Sequence, residues 1–335
     1  MVRHYRHTRF IAAVLVAAAA VSLPVQVGRA AGLAAMLPIR IAFSTWTGYG
    51  PLVVGVDTGI FKKYGLNVSY QVVEDPNARF AAFKAGSLDG IATTVDTFTR
   101  QAARGARVLQ VFGIDRSVGG DGIVSIDSIT SIKQLKGKTV AVNVGSTSEF
   151  FLAYVLQQNH MSINDVNIQD MPDSGVAGST FRAGKVDVAV TWEPWLSRAS
   201  KRPHGHVLIS SKSYPNIIVD VFGFRTDFVK AHPAAVSTFI KAYYAAVAKV
   251  NAGDSAAMAA IEKYTGENQA SVKADLTTVK LMDLAASKAY FGTPAKPGPI
   301  YDIARTSAKF WLSIKKIDKM PNINAIIDSS YLQKM

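Results

Sequence analysis

Phe181 to Trp195 reads FRAGKVDVAVTWEPW: the end of a helix, a glycine turn, a short buried strand, then Trp-Glu-Pro-Trp where the strand stops. The same grammar occurs earlier. Phe83 to Asp89, FKAGSLD, matches Phe181 to Asp187, FRAGKVD, at an offset of 98 residues. An apolar strand follows each copy, Gly90-Ile91-Ala92 or Val188-Ala189-Val190, and then a polar edge, Thr93 to Asp96 or Thr191 to Glu193. Ligands of open α/β sheets sit at the carboxyl ends of strands. The repeat therefore predicts two similar units, each delivering a strand end to one shared site.

Working outward, Pro38 to Phe43 alternates as a strand and stops at Ser44-Thr45-Trp46-Thr47-Gly48-Tyr49-Gly50, a tight polar loop with aromatic walls. Strands at Asn67–Val73 and Val108–Phe112 and helices at Pro51–Val56 and Asn77–Lys84 complete a β-α-β-α-β run, hence an open sheet with helices on both faces. Gly119-Gly120-Asp121-Gly122 leads into Ile123-Val124-Ser125, a predicted crossing to a second unit with strands at Thr139–Val142 and Val166–Met171. Ile217–Phe224 is the predicted return. From Pro233 onward the pattern is helical, in segments 233–250, 254–264, 268–285 and 299–315. The expected fold class is α/β in two lobes: residues 31–122 and 224–335 in one, 123–223 inserted as the other.

The amino terminus has Arg3, Arg6 and Arg9, an apolar run from Phe10 to Val21, Pro24, and small residues around Arg29. That is the layout of a cleaved secretory signal, residues 1–30, and its apolar run is short of the ~20 residues that span a bilayer. Taking its four arginines from the formal charge of +13 leaves +9, with the remaining basic residues scattered. Scattered charge argues against a nucleic-acid partner. The chain has no cysteine, which excludes disulfides, thiolate metal sites, a cysteine nucleophile and a lipid-anchoring cysteine.

No catalytic set emerges. His160, His204, His206 and His232 stand apart from every motif, and there is no G-x-S-x-G, P-loop or G-x-G-x-x-G. No metal or cofactor is expected. Binding chemistry is better supplied. Gly145-Ser146-Thr147-Ser148 before a helix offers N–H groups, hydroxyls and the positive end of a helix dipole; Ser146 and Glu149 also fit an ordinary capping box. Asp96, Asp121, Glu193 and Asp220 fall at strand ends or crossings, where a carboxylate accepts from an ammonium or guanidinium. Trp46, Tyr49 and Trp192 can stack on a planar group or cap a cation. Each also has an ordinary structural role open to it.

Five motifs in order, WTGYGPL at Trp46–Leu52, GIFKKYGL at Gly59–Leu66, AGSLDG at Ala85–Gly90, LKGKTVA at Leu135–Ala141 and TWEPW at Thr191–Trp195, resemble the periplasmic binding proteins of nitrate/sulfonate/taurine-type ABC importers. The resemblance runs from about residue 38 to the carboxyl end. It implies a type II periplasmic-binding fold, a monomer in the periplasm that closes on a small molecule and presents it to a membrane permease and, through that, an ATPase subunit. It implies pocket positions at Thr45, Trp46, Tyr49, Asp96, Ser146, Thr147, Trp192 and Glu193. These pocket positions carry no Arg or Lys but, with Asp121 and Asp220, as many as four carboxylates, so the expected ligand has a cationic or NH-rich end: a taurine-like zwitterion, or an amine or guanidinium compound. The alternatives are an alkanesulfonate or nitrate, or a ligand sensor without transport. Enzymes share the fold, but their cysteine-bearing motifs are missing here.

Overall fold

The computed structural model describes residues 36–335; the expected leader lies outside them. Eleven strands form two sheets. The first holds β1 (Pro38–Phe43), β2 (Asn67–Val72), β3 (Gly90–Thr94), β4 (Val108–Ser117), and later β10 (Val219–Arg225) and β11 (Val279–Leu281). The second holds β5 (Asp121–Ile126), β6 (Thr139–Val142), β7 (Asn167–Asp170), β8 (Val188–Trp192) and β9 (Gly205–Ser210).

The strand orders are β2-β1-β3-β10-β4-β11 and β7-β6-β8-β5-β9. In each, three parallel strands are followed by one antiparallel strand that the chain lays down beside a crossing between sheets. The Ile123–Ser125 segment is thus part of the second sheet, and the Ile217–Phe224 run enters the first sheet at Val219 rather than forming a free crossing. The repeat survives in the register: Ile41 lies opposite Gly90 as Val140 lies opposite Val188. Asp220 pairs with Thr94, the last residue of β3, and Asp121 pairs with Trp192, the last residue of β8. The two aspartates are equivalent positions of a repeated design.

The expected helix 268–285 is instead helix Gln269–Thr277, strand β11 and helix Leu284–Phe291. The β-branched run Thr277-Thr278-Val279 favours an extended edge beside β4, and Asp283 accepts from Ala286 N to start the next helix. The carboxyl-terminal helices cover the first sheet, burying Tyr243 and Trp311 completely. Phe222 of β10 stacks on Phe112 at 5.2 Å and packs on Phe239. No described helix is long and apolar enough to cross a membrane.

The copies differ at Gly90 and Val188 for a visible reason. A Cβ at Gly90 would lie 2.6 Å from the Phe222 ring. Gly90→Val is therefore expected to lower the unfolding free energy by about 1–3 kcal/mol through overpacking. Urea denaturation checks this; wild-type stability would mean that the Phe222 ring gives way.

Candidate functional site

The carboxyl ends of β1, β3, β6 and β8 meet at one pocket between the sheets. Its walls include Trp46, Tyr49, Arg79, Thr94, Thr97, Asp121, Ser146, Thr147, Trp192 and Asp220, around about 370 Å³ of empty space counting the mouth. The aromatic walls are shut away from solvent: Trp46 is 4% exposed, Tyr49 3% and Trp192 7%. The two halves touch across the pocket through Thr94 Oγ1 and Thr147 Oγ1, 2.8 Å apart, and Trp192 Nε1 donates to Thr45 O at 2.8 Å.

Thr45, Asp96 and Glu193, expected in the site, are held beside it. Thr45 donates through its N–H and hydroxyl to Glu74, so its side chain is occupied within its own half. Glu193 accepts from Ser197 N at 3.0 Å and Ser197 Oγ at 2.8 Å, which ties it to the first turn of the helix Trp195–Ser200. Asp96 sits in the first turn of helix Val95–Ala103 with Thr97 against one oxygen and its other oxygen buried without a partner. Ser146 caps helix Thr147–Gln158 through Ser148 N, while Glu149 accepts from Gly145 N, one residue earlier than the expected capping box.

Two residues were missed. Arg79 lines the pocket with its guanidinium buried, its Nη1 donating to Val73 O and its Nε lacking a partner. This corrects the expectation of a site without a basic group. The signal was present: Arg79 shares one buried helix face with Pro76, Phe80 and Phe83, and the repeat places Ala177 at its counterpart. Asp115 in β4 is the other. Its Oδ2 accepts from Trp46 Nε1 at 3.1 Å, it lies opposite Asp220 in the sheet, and its Oδ1 is buried without a partner. Tyr49 donates to Asp220.

Asp121 is 4% exposed and lines the pocket, with the Ser117 hydroxyl beside its carboxylate. The Ser117 hydroxyl also accepts from Asp121 N at 3.2 Å and lies 2.7 Å from Ser211 Oγ. Burial pushes these acids up. Asp115 rises to about 8, by burial first and then by the Asp121 charge, against the Trp46 N–H. Asp220 and Asp121 lie well above the carboxylate range for the same leading reason; the Asp115 and Asp96 charges add to it at Asp220 against the Tyr49 hydroxyl, and the Asp220, Asp96 and Glu193 charges add to it at Asp121 against the Ser117 hydroxyl. Asp96 rises to about 6 through burial, opposed by Thr94, Arg100 and Thr97. Of these, Asp121 and Asp220 line the pocket, and burial favours the neutral acid of each.

With the geometry in hand, the chain can be placed. It belongs to the NMT1-like family, matched over residues 35–263. A Bacillus subtilis (strain 168) protein named for aliphatic-sulfonate binding is 25% identical over 297 residues, covering 85% of this chain and 84% of its own length. The alkanesulfonate-binding protein SsuA from Xanthomonas axonopodis pv. citri bound to MOPS superposes with a TM-score of 0.73 at 17% identity, covering 88% of this chain and 98% of that one. The periplasmic nitrate-binding protein NrtA from Synechocystis PCC 6803 gives 0.71 at 13% identity, covering 89% and 87%. These likenesses bear out the expected periplasmic-binding fold. The desulfurization enzyme DSZB shares it too, with a TM-score of 0.63 at 13% identity over 88% of this chain and 98% of its own. The fold alone therefore does not separate binding from catalysis.

The raised carboxyls have a consequence for stability. A group whose folded pKa exceeds its unfolded value binds more protons in the folded state between the two, so stability falls as pH rises through that window. For Asp115 the window runs from about 4 to about 8. Asp115→Asn keeps an acceptor for Trp46 and is expected to flatten the fall, leaving the variant more stable than wild type at pH 8 but not at pH 4.5. Urea midpoints at the two pH values check this.

Proposed function

We propose that the chain is the extracytoplasmic solute-binding component of an ABC importer, working in the periplasm, and that its ligand is a small sulfonate-type anion with an N–H-bearing end, as in taurine. The observation that carries this is the meeting of Arg79, from the first sheet's half, and Asp121, from the second, in one closed pocket. A buried guanidinium with a free N–H asks for an anion. The start of helix Thr147–Gln158, with Ser146 and Thr147 on the pocket wall, supplies further donors and a favourable dipole. Asp121, a buried carboxylate on the pocket wall, has acceptor capacity that a ligand N–H can use, and a buried polar group is costly unless it is bonded. Trp46, Tyr49 and Trp192 enclose the ligand's body. The names of the similar proteins support the sulfonate or nitrate class, and MOPS, bound to one of them, is itself an amine-bearing sulfonate. The partners that follow are a membrane permease and its ATPase.

Catalysis has less support. No histidine or cysteine lines the pocket, and the Ser146 hydroxyl donates to Asn143 O at 2.7 Å instead of facing a base.

The raised pKa of Asp121 favours a second reading, a plain alkanesulfonate or nitrate, since a neutral carboxyl can donate to an anion. Proton linkage separates the two. A cationic end favours the ionised forms of Asp121 and Asp220, so affinity rises with pH; a plain anion prefers the neutral acids, so affinity falls as pH rises, and pH 6 and pH 8 are compared. Thermal shifts with taurine, methanesulfonate and nitrate at both pH values test this through stabilisation of the folded state. The expected result is a taurine shift that grows with pH. Asp121→Asn and Arg79→Gln should each weaken taurine tenfold or more, about 1.4 kcal/mol, with methanesulfonate sensitive mainly to Arg79→Gln. Larger shifts with methanesulfonate or nitrate that grow as pH falls would establish the plain-anion reading instead. No shift with any of the three would overturn the ligand class.

A further inference from the structure

The segment Gly145–Thr147 brings Ser146 and Thr147 to the pocket from the second sheet's half, and besides the Thr94–Thr147 contact it is held from the other half at two charged points. Arg100 Nη2 donates to Gly145 O at 2.6 Å. Lys316 Nζ lies 2.6 Å from Glu149 Oε1, and the second oxygen of that carboxylate accepts from Gly145 N at 2.7 Å. Both the N–H and the C=O of Gly145 are therefore engaged, one directly by a cation and one through a carboxylate that a cation neutralises. Gly145 has φ +82°, and a Cβ there would lie 2.7 Å from Arg100 Nη2, so the close approach needs glycine.

The cations are themselves fixed. Arg100 also donates to Asn77 Oδ1 at 3.0 Å and lies 5.6 Å from the centre of the Trp311 ring. Lys316 follows helix Pro299–Ser313, and its N–H donates to Trp311 O at 2.9 Å. Glu149 is 2% exposed, and its counter-charge comes wholly from the opposite half. A buried carboxylate stripped of its partner is strongly unfavourable.

We infer that Lys316, Glu149 and Arg100 form a clasp that holds the two halves shut and positions Ser146 and Thr147 in the pocket without touching the ligand. Opening must break the Lys316–Glu149 pair and the Arg100–Gly145 bond together, so closure is set partly by the protein itself. Glu149 is in this respect a positioning residue for the binding site. The clasp acts whatever the ligand's chemistry, and its test needs none.

Lys316→Met and Lys316→Arg are compared with wild type, without added ligand, by small-angle X-ray scattering and acrylamide quenching of tryptophan fluorescence. Lys316→Met is expected to show a larger radius of gyration and severalfold stronger quenching, as Trp46 and Trp192 become accessible. Lys316→Arg should restore both values. High salt should move wild type part of the way towards Lys316→Met, because Lys316 is partly exposed and its charge is screened. Gly145→Ala, which displaces Arg100 instead, should reproduce the open profile, and it carries the test if Lys316→Met fails to fold. Wild-type scattering and quenching in Lys316→Met, or in Gly145→Ala where that variant replaces it, would overturn the clasp. Failure of Lys316→Arg to restore closure would overturn the role of the charge.

Discussion

Two antiparallel pairings organise the molecule: β10 against β3, and β5 against β8. Each half is a parallel sheet completed by a strand laid down next to a crossing from the other half. The crossings therefore lie beside the strand ends where a ligand can sit, and they put Asp220 opposite Thr94 and Asp121 opposite Trp192. Closing such a seam buries acids. The structure answers with the Tyr49 hydroxyl on Asp220 and the Trp46 N–H on Asp115, and by raising the carboxyl pKa values so that neutral forms are favoured. Asp121 stands on the pocket wall, and one oxygen each of Asp96 and Asp115 stays buried without a partner.

On this repeated scaffold the chemistry comes from the places where the copies differ. Arg79 stands where the second copy has Ala177, Thr94 where it has Trp192, and Gly90 where it has Val188. One half contributes a guanidinium and the other an indole, with equivalent carboxyls between them. The charge balance of the carboxylates alone favours a cation. Adding Arg79 turns it towards a molecule carrying both signs, and the raised carboxyls reduce the repulsion an anion would meet.

Much of this was legible in the chain. Trp46, Tyr49, Ser146, Thr147, Trp192, Asp121 and Asp220 could be assigned to one pocket because each stands at a strand end or helix start that local pattern identifies, and the repeat says that two such edges converge. Thr45 and Glu193 have the same local address, but Glu74 and Ser197 occupy them; nothing in the linear pattern says which neighbour captures a short polar side chain. Asp115 was hidden inside an apolar strand, where its significance depends on Trp46 and Asp220 arriving from elsewhere.

The periodicity, the glycine turns and the duplicated helix–strand unit were enough to specify two α/β halves and the edge at which they meet, because those features act over a few residues. The break of 268–285 around β11 shows the limit even there: an edge partner, β4, decided against the helix. The protonation of the carboxyls, the pairing of Lys316 with Glu149 across 167 positions of chain, and the entry of Arg79 into the site were decided only by the folded structure. Charge, desolvation and hydrogen bonding act through space over a few ångströms, and only the closed pocket sets which groups are within that range.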